Sequence, residues 1–287
     1  MKRLRLLALL LIVLAFPARA EFSFPDVFLG EGEPVIRTET DYRSQNLAIT
    51  ITSRRYEDSD VYVADIYVRD ITCLQRGFAR GGWRNGTIEM PVIAQSSGAI
   101  LAITGDYAHY FHYGWVMGNG KVYRQISNEE RDICLIYRSG EMRTIRAQDV
   151  DDTWMLTQVP ELWHVFCFGP ELLDGDGKAA TSFNTDVRPA NPRSAIGYYE
   201  PGHYCFVQVD GRGTRSTVVE GEHSLGLSMD QLAAFMESLG CRVAYNLDGG
   251  QSSMLWYDGE IISTPFLGGR KIGDIVLIRE PSPDDVE

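Results

Sequence analysis

The chain is 287 residues long, 44% hydrophobic and 23% charged, with a formal net charge of −12. These figures exclude long disorder, a collagen repeat and an extended coiled coil, and the length suits one large domain or two small ones. The acidic balance argues against a nucleic-acid partner, which needs a basic surface, and against attraction to anionic lipid.

Lys2, Arg3 and Arg5 make a positive start, Leu6 to Phe16 form an uncharged apolar run, and Ala18-Arg19-Ala20 places small residues where a signal peptidase reads. This three-part pattern predicts a secretory signal over residues 1–20, cleaved after Ala20. Eleven apolar residues are too few to span a bilayer comfortably, and no later stretch is long and apolar enough, so an exported protein without a membrane span is expected. Removing residues 1–20 leaves 23 basic against 39 acidic residues, a net charge of −16.

Residues 21–44 are polar, with Gly30, Gly32 and Pro34, and read as a leader that packs onto the fold or frays. Leu47 to Thr52 and Val61 to Val68 alternate as strands rich in β-branched and aromatic residues. Pro91 to Ser97 reads as a short helix, followed by a buried strand over Ala99 to Thr104 that ends at Gly105-Asp106. Hairpins are expected over Met117 to Tyr123, turning at Asn119-Gly120, and over Cys134 to Ile145, turning at Ser139-Gly140. Asp149 to Gln158 is weakly helical, and Val165 to Phe168 is a strand stopped by Gly169-Pro170. A third hairpin covers Ala195 to Asp210 about Pro201-Gly202.

Met229 to Leu239 carries the clearest helical pattern. Ser228 and Gln231 form a capping box, Leu232, Phe235, Met236 and Leu239 share one face, and Gly240 is the stop. Val243 to Leu247 is a strand running into Asp248-Gly249-Gly250, Met254 to Ile262 a hairpin turning at Asp258-Gly259, and Ile275 to Ile278 a closing strand. Many hairpins and few interleaved helices predict a single α+β domain over residues 45–280, with a mixed, mostly antiparallel sheet system and an acidic tail at 281–287.

The densest local signal is Asn246-Leu247-Asp248-Gly249-Gly250-Gln251-Ser252-Ser253. An acid at the end of a buried strand, followed by two glycines, lets a ligand approach the main chain, and the Ser and Gln side chains add donors. Asp106 and Asp210 repeat the logic at two other strand ends. Paired carboxylates at one sheet edge are what glycoside hydrolysis needs. Taken singly, each acid also reads as a turn residue bonded to local N–H groups. Arg193, Arg212 and Arg270 lie beside Gly- or Pro-containing turns, and their planar guanidinium groups suit phosphate or carboxylate, or the surface acids.

Other features read as structural. His109 and His112, three apart among aromatics, point to packing before metal ligation. Asp174 to Lys178 lacks the closing Glu and the correctly placed Gly of a calcium loop. Ser252 and Ser253 lack a nucleophile elbow. The five cysteines, Cys73, Cys134, Cys167, Cys205 and Cys241, show no zinc spacing, and an odd count leaves at least one thiol free or paired between molecules. No spacing requires a cofactor, while the grouped acids are compatible with a divalent cation.

The run Ala244 to Ser253 resembles the signature of the phosphodiester glycosidase family. Other pieces agree in the family's order: Val63-Ala64-Asp65-Ile66, Ala102 to Tyr107, Asn191 to Gly197, Val209-Asp210-Gly211-Arg212, the helix from Ser228, and Gly269-Arg270 to Asp274. Together they span roughly residues 45–279. The resemblance implies cleavage of a sugar-1-phosphodiester of the N-acetylglucosamine type on surface or extracellular glycans, with a phosphorylated carbohydrate as substrate. It implies catalytic roles for Asp106, Asp210 and Asp248. It places Arg193, Arg212, Arg270, Asn246, Gly249, Gly250, Ser252, Ser253 and Thr104 on the substrate or its phosphate. Two positions depart from the pattern: Thr104 stands where Asn is usual, and Gly118 where Arg precedes Asn-Gly. A second reading is therefore a weakened or non-catalytic carbohydrate- or wall-binding domain on the same fold.

Overall fold

The computed structural model describes residues 21–126, 130–213 and 223–282. Strands are numbered in chain order. The largest sheet runs β1 (Ile36–Arg37), β2 (Asp41–Arg43), β3 (Leu47–Tyr56), β4 (Ser59–Val68), β13 (His203–Val209), β12 (Arg193–Glu200), β14 (Val243–Leu247). A second sheet runs β10 (Met142–Ile145), β9 (Ile133–Tyr137), β11 (Leu162–Phe166), β7 (Val116–Gly118), β8 (Lys121–Arg124). The third runs β16 (Glu260–Ile261), β15 (Leu255–Tyr257), β6 (Leu101–Thr104), β17 (Asp274–Ile278), β5 (Leu74–Phe78). Every pairing between these strands is antiparallel. Among the described residues the α-helices are α1 (Met90–Ser96), α2 (Asp152–Gln158) and α3 (Met229–Ser238).

The three sheets share one core. Ile49, Ile66, Ile196, Phe206 and Leu247 of the first sheet meet Cys134, Ile136 and Phe166 of the second and Leu101, Ile103, Val276 and Ile278 of the third. Each helix covers the outer face of a different sheet. Leu232, Phe235 and Met236 of α3 pack on Val61, Val63, Val207 and Val209. Met155 of α2 packs with Val116, Leu135 and Val165, and Met90, Ile93 and Ala94 of α1 with Ala102, Ile275 and Leu277. Strand β4 shows how alternation produces this layering. Ala64, Ile66 and Val68 face the shared core, while Val61 and Val63 face α3 on the other side.

The expected capping box is present: Ser228 Oγ accepts from the Gln231 N–H, and Gln231 Oε1 accepts from the Ser228 N–H. The expected hairpins form at Asn119-Gly120, Ser139-Gly140, Pro201-Gly202 and Asp258-Gly259. Strand β5 was not expected. Its sequence, Leu-Gln-Arg-Gly-Phe, has no apolar alternation, yet all five residues are buried because Arg76 is paired inside the fold. Strands β1 and β2, within the polar stretch before residue 45, extend the largest sheet beside β3.

Phe206 is a wholly enclosed ring of the core that the three sheets share. Phe206→Ala should lower unfolding free energy by about 3–5 kcal/mol, read as a reduced urea midpoint with an unchanged slope.

Candidate active site

The site forms where strands of different sheets end together. β6 runs out through Gly105 into Asp106, and β14 runs into Asp248. The Asp248 N–H donates to the Gly105 carbonyl at 3.0 Å, which joins the two strand ends. Both acids are buried. Asp106 Oδ2 accepts from the Cys167 N–H at 2.7 Å, and its own N–H donates to Asp274 Oδ2 at 3.2 Å. Asp106 Oδ1 is buried and takes no hydrogen bond among the described residues.

Arg270 supplies positive charge to Asp248. Its Nη2 stands 3.3 Å from Asp248 Oδ2, its Nε donates to Ser252 Oγ, and its guanidinium lies over the Tyr107 ring at 5.1 Å. The Arg270 side chain keeps 38% of its exposure, against 10% for Asp248. The cation therefore reaches solvent while the carboxylate sits behind it. Burial pushes the Asp248 carboxyl up to about 6; the Ser252 hydroxyl and Arg270 oppose the rise, and the neighbouring Asp106 charge adds to it.

Beneath these acids lies Arg76, wholly buried on β5. Its Nε and Nη2 each stand 2.7 Å from Asp274 Oδ2, and Nη2 is 3.5 Å from Asp106 Oδ2. Its Nη1 donates to the Met117 and Val165 carbonyls of the second sheet, both at 3.1 Å. Arg76 belongs to no motif, and its sequence signal is one arginine within a run that otherwise packs. The Gly118 departure lies here. A Cβ on Gly118 would stand 3.1 Å from Arg76 Cδ and 3.3 Å from the Phe78 ring. A guanidinium thus reaches this neighbourhood from β5 rather than from β7.

The glycine turn forms the next part of the site. Gly250 has φ +62°, a left-handed backbone, and a Cβ there would come within 2.8 Å of Arg212 Nη2. Gly249 passes against Pro192, where a Cβ would stand 2.7 Å from the carbonyl oxygen. Arg212 lies over the Phe266 ring at 5.1 Å and donates to Asn191 Oδ1 at 3.2 Å. With Asp210 it lines a cleft of about 420 Å³ bounded also by Thr264 and Phe266. Asp210 Oδ2 accepts from the Thr264 N–H at 2.8 Å. Burial raises the Asp210 carboxyl to about 6, against the pull of that bond.

The predicted residues therefore divide. Asp106, Asp248, Ser252 and Arg270 come together. Asp210 and Arg212 form a neighbouring cleft across the Gly250–Ser252 turn, separated from Asp248 by strand β12. Arg193 is not brought to either group. Its guanidinium donates to the carbonyls of Val187, Pro189 and Leu227 at 2.6–2.9 Å, bracing the chain before β12. Ser253 is enclosed in a hydroxyl–amide network, with Oγ 2.9 Å from Ser194 Oγ and 3.0 Å from Gln208 Nε2. The Thr104 hydroxyl donates to the Ser252 carbonyl and accepts from the Met254 N–H at 3.2 Å, so it shapes the turn from beneath. Asn246 Nδ2 donates to the Gly169 carbonyl at 2.8 Å, while its buried Oδ1 takes no partner among the described residues.

An aromatic loop borders Arg270. Tyr107 stacks on Tyr110 at 4.1 Å, and His109 lies 4.0 Å from the Tyr110 ring centre. Arg124 holds this loop by donating to the carbonyls of Ala108, Phe111 and Gly114. Burial, with the charge of Arg270, lowers His109 to about 4, so its imidazole is neutral near pH 7. His112 lies instead against Arg84 at 3.4 Å. Asp174 Oδ1 accepts from the N–H groups of Asp176 and Lys178, as a turn acid does. Among the described residues, no group of three His, Cys, Asp or Glu side chains is arranged to hold a metal ion.

The phosphodiester glycosidase family model matches residues 97–279, a span that includes Asp106, Asp210, Asp248 and Arg270. The chain belongs to the phosphodiester glycosidase family. The match begins later than the motif order implied, after Val63-Ala64-Asp65-Ile66, where Asp65 pairs with His203 at 2.7 Å. The chain is 29% identical over 157 residues to the prophage-derived uncharacterized protein YomE of Bacillus subtilis strain 168. That alignment covers 53% of this chain and 23% of YomE, so it spans about a quarter of that relative. Among solved structures, the fold resembles the catalytic domain of zebrafish N-acetylglucosamine-1-phosphodiester alpha-N-acetylglucosaminidase. There the TM-score is 0.64 with 18% identity, over 89% of this chain and 87% of that one. It also resembles a hypothetical protein from Synechocystis, with TM-score 0.55 and 13% identity over 87% and 64% of the two chains.

Two predictions test this electrostatic arrangement. Arg76→Met leaves two buried carboxylates without their cation and should cost about 3–5 kcal/mol in unfolding free energy, whereas Arg270→Met at the solvent edge should cost far less; chemical denaturation compares them. Asp248 titrates higher in the folded chain than its ordinary value of 3.8. The stabilisation from its bound proton is complete below about pH 4 and disappears as pH rises through about 6. Asp248→Asn should therefore gain stability relative to wild type between pH 4 and 7, by about 1–3 kcal/mol, read from denaturation midpoints across that range.

Proposed function

We propose that this chain is an exported hydrolase that cleaves the glycosidic bond of a sugar-1-phosphodiester, of the N-acetylglucosamine type, on surface or extracellular glycans. The observation that carries this reading is the Asp248–Arg270 pair beside Asp106, inside the segment that matches the family. The zebrafish enzyme of similar fold is described as acting on an N-acetylglucosamine-1-phosphodiester.

The chemistry follows from the leaving group. Water adds to the anomeric carbon, the bond from that carbon to the phosphate oxygen breaks, and a phosphate monoester departs. That anion is stable in water, so it needs little help from a general acid and more from placed positive charge. Arg270, which donates to Ser252, and Arg212, which packs at Gly250 of the same turn, are the cations proposed for the phosphate. Asp248 and Asp106 are the carboxylates proposed for the sugar side, with Asp248 ionised above about pH 6. The Tyr107–Tyr110 stack offers an aromatic face for the apolar side of a sugar ring.

Two observations favour a second reading as a carbohydrate-binding module with weak or no turnover. The Thr104 hydroxyl is already committed to main-chain groups, and Gly118 carries no side chain. Export rests on the pattern of residues 1–20, which lie outside the described residues. N-terminal sequencing of the secreted protein tests it: the expected first residue is Glu21, and a start at Met1 would overturn it.

The deciding assay measures N-acetylglucosamine released from a synthetic N-acetylglucosamine-1-phosphodiester. Wild type should turn over, with kcat/KM rising with pH on an apparent pKa near 6. Asp248→Asn should lose about 10²–10⁴-fold in kcat. Binding without release by the wild type would favour the module, and equal turnover by Asp248→Asn would remove that residue from the mechanism.

A further inference from the structure

Outside the site, two buried cysteines approach each other. Cys205 lies on β13 and Cys241 in the connection from α3 to β14, 36 positions later, and their sulfurs are 3.7 Å apart. Both sulfurs sit in the layer between the largest sheet and α3.

The strand between them explains how they fit. Gly197 on β12 pairs with Cys205 on one side and with Ala244 of β14 on the other. Its φ lies outside the left-handed region, so no backbone demand calls for glycine. A glycine inside a strand costs conformational entropy and packs nothing, so it marks a place where something else comes close. A Cβ on Gly197 would stand 2.6 Å from the Cys241 sulfur, 2.7 Å from the Cys205 sulfur and 2.8 Å from Met236 Cε. The space a side chain would fill is the space the two sulfurs occupy.

We propose that Cys205 and Cys241 form a disulfide across Gly197 when the chain folds in an oxidising compartment. The oxidant is a disulfide of the thiol-exchange class, such as oxidised glutathione or an oxidised dithiol carrier. One cysteine thiolate attacks that disulfide to give a mixed disulfide and release one thiol. The second cysteine thiolate then attacks the mixed disulfide, forming the Cys205–Cys241 bond and releasing the second thiol. Two electrons and two protons pass to the carrier. A single pair resolves the odd count: Cys73, Cys134 and Cys167 remain buried thiols. The link would join β13 to the start of β14 around the ring that contains α3.

Two preparations of the full chain test this independently of glycosidase activity. One is refolded from denaturant in mixed reduced and oxidised glutathione; the other is exported from a bacterial host. Each is denatured without reductant, alkylated with iodoacetamide and examined by mass spectrometry. The expected result is three alkylated cysteines and one digest product joining the Cys205 and Cys241 peptides, with five alkylated cysteines after reduction. Five alkylated cysteines without reductant in both preparations, or a link through any other cysteine, overturns the proposal. Cys205→Ser should give four alkylated cysteines. Reductant should lower the wild-type Tm by roughly 5–15 °C and leave that of Cys205→Ser unchanged. Equal sensitivity of the two proteins to reductant would also overturn it.

Discussion

One guanidinium holds the site together. Arg76 binds Asp274 of the third sheet through Nε and Nη2, reaches Asp106 at the end of β6, and donates to carbonyls of β7 and β11 in the second sheet. An isolated carboxylate at this depth would take up a proton or draw in water, because burial penalises its charge. With Arg76 in place, acids from two strand ends remain ordered beneath the surface. Sheets that share only an apolar core could slide by small amounts; a planar fork with directed bonds sets their relative position.

Above that anchor the charges are layered. Arg76 is sealed in, Asp106 and Asp248 lie over it, and Arg270 lies nearest solvent, seated on Tyr107. An arriving anion therefore meets a cation first and the carboxylates behind it. This order suits a substrate with a phosphate at one end and a sugar carbon at the other. Asp210 and Arg212 again put an acid and a guanidinium on one cleft, with Arg212 packed at Gly250 of the neighbouring turn. The polar residues that join neither group have other work. Arg193 braces a chain segment and Ser253 completes a buried hydroxyl–amide network.

Much of the architecture was legible in the residues. The capping box and the two-residue hairpin turns are local, and their signals lie within a few positions of the structure they produce. Asp106 and Asp248 stand out in the sequence because each follows a strand beside glycine, and Arg270 because it follows Gly268-Gly269 ahead of β17. What stayed hidden was orientation. Arg193 sits in the same kind of sequence context as Arg212, yet the register of β12 turns its side chain toward the carbonyls near Val187 and away from the acids. Strand β5 and Arg76 were missed for a related reason. A charged residue inside a strand reads as exposed unless its partners are known, and those partners, Asp106 and Asp274, lie 30 and 198 positions away.

Arg270 also bears on what it costs to capture a ligand. A free arginine side chain at the surface samples many rotamers, and immobilising it on binding consumes part of the attraction it provides. Here the Ser252 hydroxyl, the Asp248 carboxylate and the Tyr107 ring restrain the guanidinium beforehand, while more than a third of the side chain stays open to water. The loss of freedom is met during folding instead of at the encounter. A negatively charged guest, as proposed for this site, would meet a cation already held in place, which favours discrimination by shape over capture by charge alone.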